Sequence, residues 1–142
     1  MTTNFTVRAE SDVQVIGSGT LAYLKSLAKV SPKKHARMTL HESTESPVQE
    51  MVIALFREGQ FPPHRHPKGK NESYHVIDGE LDVRIFSETG KMVQSIRLGA
   101  PNGPRLYRVK GGIFHQPVAI TDCVVYHEVF TGPYNKEKDV EN

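Results

Sequence analysis

From residue 35 onward, apolar and polar residues alternate with a period of two in short runs, and glycine, proline or polar turns interrupt every run. In ARMTLHE, Ala36, Met38 and Leu40 fall on one face and Arg37, Thr39 and His41 on the other, because successive strand side chains point to opposite sides. Residues 49–56 are nearly all apolar and read as a strand buried on both faces. Glu58-Gly59 ends that strand. Residues 72–78 and 80–86 form two further strands, joined at Asp78-Gly79, a dipeptide suited to a tight hairpin. Strands at 92–98, 105–109 and 123–130 complete the series, with GAPNGP at 99–104 as an obligate loop. Many short strands separated by Gly/Pro turns point to an all-β sandwich or barrel.

The segment ahead of this region differs. Residues 1–18 are polar and irregular, then Leu21, Leu24, Leu27 and Ala28 share one face at helical spacing. The pattern predicts a helix over 20–30, capped by Ser18 or Thr20 and stopped at Ser31-Pro32, since the residue before proline avoids helical geometry. This helix is read as a packing or dimer element. The chain therefore divides into an N-terminal segment (1–34), a barrel (35–134) and a charged tail (135–142) expected to fray after Pro133.

A length of 142 residues suits a single domain. The net charge of +2 gives no basic stripe of the kind nucleic acid requires. No apolar run approaches a membrane span, and the N-terminus lacks a signal core. Cys123 is the one cysteine, so no internal disulfide forms and a cytoplasmic setting is expected. Beside Val124 and Val125 it reads as a small buried hydrophobe.

The chemistry concentrates in four residues. His64 and His66 are two apart, so on a strand both imidazoles face one side while Arg65 faces away. Glu72 opens the next strand after the turn-forming PKGKN, and Pro62 and Pro63 stiffen the approach. His115 lies three residues beyond Gly111-Gly112 in apolar company, where an imidazole needs a partner. Imidazole nitrogen and carboxylate oxygen suit one divalent transition metal, Zn, Fe, Mn, Ni or Co, without selecting among them. The HxH pair alone equally fits two exposed histidines, and His115 alone fits a hydrogen-bonded core histidine; the combination points to a metal.

The run GQFPPHRHPKGKNESYHVIDG (59–79) resembles the first motif of the cupin superfamily, and residues 103–115 resemble the second more weakly. A fuller resemblance, to cupin metalloproteins of the WbuC type from bacterial polysaccharide gene clusters, extends from about residue 31 to 134. It includes SPKKHARMTLHES, PVQEMVIALF, GGIFHQPVAI and HEVFTGPY. The chain departs from the usual pattern in a shorter spacer before His64, a longer one before Glu72, Lys110 in place of proline and Ala119 in place of asparagine. The resemblance implies a double-stranded β-helix, a conical β-barrel or jelly roll, with His64, His66, Glu72 and His115 as metal ligands and room for water or substrate on the ion.

Around that site, Tyr74 shares a strand face with Glu72, while His75 lies opposite. Tyr74 and His41 are candidate catalytic groups. Arg37 is a candidate substrate-binding group, able to grip a carboxylate or phosphate bidentately. Tyr107 and His127 are read as structural. The expected function is a metal-dependent isomerase or epimerase acting on a small polar substrate, a sugar or sugar-derived acid in polysaccharide synthesis. The alternatives are a non-catalytic ligand-binding or regulatory cupin and an Fe(II)-dependent dioxygenase. A homodimer would cover exposed sheet edges.

Overall fold

The largely apolar run at 49–56 becomes the middle strand of the larger of two sheets. The structure, a computed structural model, describes residues 2–3 and 5–142. In chain order the elements are β1 (Thr2–Thr3), β2 (Thr6–Arg8), α1 (Ser18–Val30), β3 (His35–Thr39), β4 (Val48–Phe56) and β5 (Glu72–Asp78). They continue with β6 (Leu81–Phe86), β7 (Met92–Leu98), β8 (Leu106–Val109), β9 (Phe114–Ala119), β10 (Cys123–Thr131) and α2 (Lys136–Asp139). One sheet has the order β1-β2-β3-β4-β10-β5-β8 and the other β7-β6-β9.

The apolar side chains of β4 serve two cores. Ile53 and Leu55 enter the space between the sheets with Tyr74, Leu81, Val83, Leu98 and Tyr126. Val52 and Ala54 point outward, where Leu24 and Ala28 of α1 cover them together with Ala36, Met38 and Val125. The predicted helix is thus a packing element on the outer face of the large sheet. It begins two residues earlier than the apolar pattern suggests, with Gly17 rather than Ser18 or Thr20 at the cap position; the Thr20 hydroxyl instead accepts from the Gly17 amide at 3.3 Å. At Ser31 the chain turns extended, and its amide closes the last turn on Leu27 and Ala28.

Three elements lie where the sequence pattern shows none. β2 is only three residues long, too short to display a period, and pairs in parallel with β3. β9 carries Pro117, which argues against a central strand; it is tolerated because β6 is the one strand paired along β9, and the other edge is bridged at His115 and not at Pro117. The tail, expected to fray, folds back instead. Asn135 caps α2 by accepting from the amides of Glu137 (3.0 Å) and Lys138 (3.3 Å), while Asp139 is buried and takes an ion pair from Lys70 at 2.9 Å. No helix among the described residues is long and apolar enough to cross a membrane.

Because Leu24 is fully buried against the sheet, Leu24→Ala is expected to cost about 2–5 kcal/mol in urea unfolding. The metal-site residues lie on the opposite side of that sheet, so zinc uptake by the folded variant is expected to match the parent.

Candidate metal centre

The HRH segment is held by backbone pairing, not by a strand of its own. His64 and His115 exchange reciprocal amide-to-carbonyl bonds of 2.9 and 2.8 Å, which docks residues 64–66 against β9. Alternation then turns His64 and His66 inward and Arg65 outward, where Arg65 pairs with Glu88 at 2.8 Å, with Glu141, and with the Phe114 ring at 4.4 Å. A turn follows, closed by Lys70 N–H donating to Pro67 O at 3.1 Å. That turn presses on the Gly-Gly bend. A Cβ on Gly111 would fall 1.8 Å from Pro67 O, so only glycine fits there. The next amide, of Gly112, donates to His66 O at 2.6 Å. The turn delivers Glu72 to the start of β5, opposite Phe130 on one side and Val109 on the other. Glu72 therefore comes from the large sheet and His115 from the small one, and the cluster joins the two.

The four side chains converge. Their candidate ligand atoms all lie within 4.8 Å of one another. Glu72 Oε1 is 2.8 Å from His115 Nε2, and Oε2 is 3.1 Å from His66 Nε2. The ring of His64 is 4.5 Å, centre to centre, from that of His115 and 5.2 Å from that of His66. Each imidazole is oriented from behind. Nδ1 of His64 donates to Pro62 O (3.0 Å), that of His66 to Asp139 O (2.6 Å) and that of His115 to Ile113 O (2.9 Å). A carbonyl can only accept, so every Nδ1 carries a proton and every Nε2 is turned to the common centre, where a neutral ring would offer its lone pair to a cation in place of the hydrogen bond to Glu72.

The electrostatics follow from that convergence. Burial alone would raise the Glu72 carboxyl, but hydrogen bonds from His115 and His66 outweigh it and hold the group well below the ordinary carboxylate range. Burial likewise opposes a proton on His66, yet the Glu72 carboxylate raises its pKa. Burial, reinforced by the His115 charge, lowers His64 to about 4. Three inward lone pairs facing a buried carboxylate leave a place for positive charge, and backbone-anchored Nδ1 groups are the usual outer support of histidine metal ligands. The residues present fit a divalent cation.

A cavity of about 370 Å³ opens beside the cluster, and the candidate pocket residues Arg37, His41 and Tyr74 all line it. Arg37 is half-buried, and its guanidinium forms no hydrogen bond or ion pair among the described residues. His41 Nδ1 lies 2.9 Å from the Glu50 amide nitrogen and 3.0 Å from the Glu50 carbonyl oxygen, which ties the ring to the backbone of β4. Burial, aided by Arg8, lowers its pKa. Burial, with the nearby Glu72 charge, pushes the Tyr74 phenol well up, so it stays protonated. His75 and His127 sit on the outer face with their ring centres 5.2 Å apart, away from the cavity. Tyr107 packs in the core beside Tyr74.

The sequence reading missed Glu128, which also lines the cavity. Burial and the Glu72 charge push its carboxyl up to about 8, against the pull of Arg37. Its signal was present in YHEVF, where alternation places Glu128 on the same face as the buried Tyr126 and Phe130.

Solved structures with this architecture are cupin-fold proteins. A protein from Shewanella oneidensis superposes with a TM-score of 0.61 at 13% identity, over 74% of this chain and 71% of that one. An oxalate oxidase in complex with the substrate analogue glycolate gives 0.60 at 20% identity over 80% of this chain. The match covers 57% of that enzyme, so this chain corresponds to little more than half of its length. KdgF from Halomonas sp. gives 0.56 at 17% identity, over 76% of this chain and 86% of KdgF. No curated protein matches the sequence significantly. The chain thus has a cupin-type fold and carries a His/His/Glu/His cluster fitted to a metal. Residues 16–98 match the family described as "Domain of unknown function (DUF6016)", and the chain belongs to that family.

The His66 anchor generates a test. Removing residues 135–142 deletes the Asp139 carbonyl that orients His66, and is expected to weaken zinc binding by about 10–100-fold in a chelator competition titration. Circular dichroism is expected to retain the β signature.

Proposed function

We propose that the protein is a metal-dependent cupin that binds a small anionic substrate, a sugar-derived acid, and rearranges it by isomerisation or epimerisation. The observation that carries this reading is the unpaired Arg37 guanidinium in the same cavity as the His/His/Glu/His cluster. A free guanidinium in a concave, partly apolar pocket is a preorganised receptor for a carboxylate. His64, His66, Glu72 and His115 would hold the ion. Bound there, a divalent cation supplies Lewis-acid polarisation of a substrate oxygen.

The other roles belong to the chain itself. Arg37 anchors the anion. Tyr74, with its phenol kept protonated, acts as a hydrogen-bond donor to a substrate oxygen, and His41, its Nδ1 held by the Glu50 backbone, turns its Nε2 edge to the cavity as a second polar contact. Phe61, Pro62 and Phe130 supply apolar wall and exclude water. The WbuC-type resemblance supports a substrate from bacterial polysaccharide synthesis. A lone half-buried thiol at Cys123, its pKa raised chiefly by burial, accords with a reducing cytoplasmic setting. Exposed Met92 and Val93 on β7 and Leu106 on β8 supply apolar edge surface for a homodimer.

Elemental analysis of metal-supplemented protein is expected to find one divalent ion per chain, and His115→Ala is expected to abolish that stoichiometry. Acidification is expected to release the ion, because protons compete for the same Nε2 lone pairs. Calorimetry with glycolate as a probe is expected to show binding to the metal-loaded protein, weakened about 10–100-fold by Arg37→Met. Protein that takes up no metal from supplemented buffer would rule the reading out.

A further inference from the structure

We propose that Glu128 is the acid–base residue of this cavity, taking a proton from the carbon beside a bound acid's carbonyl group and returning it to the substrate. This rests on the reading of the pocket as a site for a small acid, and adds the residue that moves the proton and the class of substrate whose proton can be moved.

Sheet register supplies the geometry. Across the inner face, Phe130 lies opposite Glu72, Glu128 opposite Tyr74, and Tyr126 opposite Val76. On the other side of β10, Glu128 lies opposite Met51 and Tyr126 opposite Ile53, and Ile53 in turn opposite Arg37. Glu128 is therefore one row beyond the metal-site carboxylate on the neighbouring strand, a diagonal spacing of roughly 7–8 Å between backbones. Arg37 lies one row further, two strands over. A small acid gripped by Arg37 and reaching toward the histidine cluster passes over Glu128.

The side chain is also free to act. Buried carboxylates with structural roles are hydrogen-bonded. The Glu128 carboxyl makes no hydrogen bond or ion pair among the described residues, although it lines the cavity. The groups that face it are Glu72 and Tyr74 from β5, Arg37 from β3, His66 from the docked HRH segment and Tyr126 from its own strand, while Met51 from β4 brings no charge. Burial favours its protonated form and Arg37 its charged form, so neither state is locked by a bonded partner. The other candidates are committed elsewhere. His41 has its Nδ1 tied to the Glu50 backbone, Tyr74 holds its proton too tightly, and Arg37 has no lone pair to offer.

The step balances without a further reactant. A C–H bond next to the carbonyl breaks, its proton passes to a Glu128 carboxylate oxygen, and the electron pair moves into the carbonyl to give an enolate. Return of the proton to that carbon on its other face, after the enolate turns in the cavity, gives the epimer; return to the former carbonyl carbon, with the hydroxyl on the first carbon passing its proton to the enolate oxygen, gives the isomer, and either outcome restores the free Glu128 carboxylate. The substrate class is then a small 2-keto acid or a sugar acid with an adjacent carbonyl, a size suited to about 370 Å³.

The test uses zinc-loaded full-length protein with pyruvate as the probe, in deuterium oxide. Loss of the pyruvate methyl signal in proton NMR is expected to accelerate over zinc in buffer alone. Glu128→Gln is expected to slow that exchange on the order of 100-fold or more, and Glu128→Asp to restore part of it. Zinc stoichiometry and folding are expected to stay unchanged in both variants. Exchange that is absent in the parent, or equal in Glu128→Gln, while zinc and pyruvate both bind, overturns the role of Glu128 and leaves the pocket reading intact. Failure of the parent to bind zinc or pyruvate overturns the pocket reading, and this proposal with it.

Discussion

The Glu72 carboxylate is a negative charge taken out of water at the seam between two sheets, and the structure around it is arranged to keep it there. Moving such an ion into a protein interior costs several kcal/mol even after relaxation. Two imidazoles within hydrogen-bond reach and a third beside them offset that cost only if positive charge accompanies them. A proton on His66, which Glu72 favours, supplies part of it, but burial holds His64 to a pKa of about 4 and leaves that ring uncharged. A dication satisfies the carboxylate and all three nitrogen lone pairs at once. The arrangement of the β-sandwich ends, the docking of the HRH segment on β9 and the close approach at Gly111 all serve this one convergence.

The strands that were legible in the sequence were those with a long enough period and a turn at each end. β4, β5, β6 and β10 announced themselves because their side chains divide between core and exterior, or are apolar on both faces. The metal-site residues were legible for a related reason: two histidines at strand spacing, an acid opening a strand and a histidine after a glycine pair each leave a local mark. Arg37 and His41 followed from alternation within β3, although sequence could not say whether their face met a cavity or solvent.

The rest depends on contacts between residues far apart in the chain. β9 hides behind Pro117, whose acceptability rests on which neighbour β9 lacks. The folded tail depends on Lys70 and the HRH segment, some seventy residues away. Glu128 looked like an ordinary charged residue between apolar ones. Its position became informative only once β5 was seen beside β10, placing a second acid one row from Glu72.

The contact between Asp139 and His66 has a thermodynamic corollary. Whatever free energy an ion gains from a correctly turned His66, the α2 segment gains equally in adhering to the body of the protein, since coupling between two equilibria is reciprocal. Occupancy of the centre is thus reported at the periphery as resistance of residues 135–142 to proteolysis or amide exchange. Conversely, a macromolecule that peels this segment away would act as a release factor for the ion without ever touching its ligands.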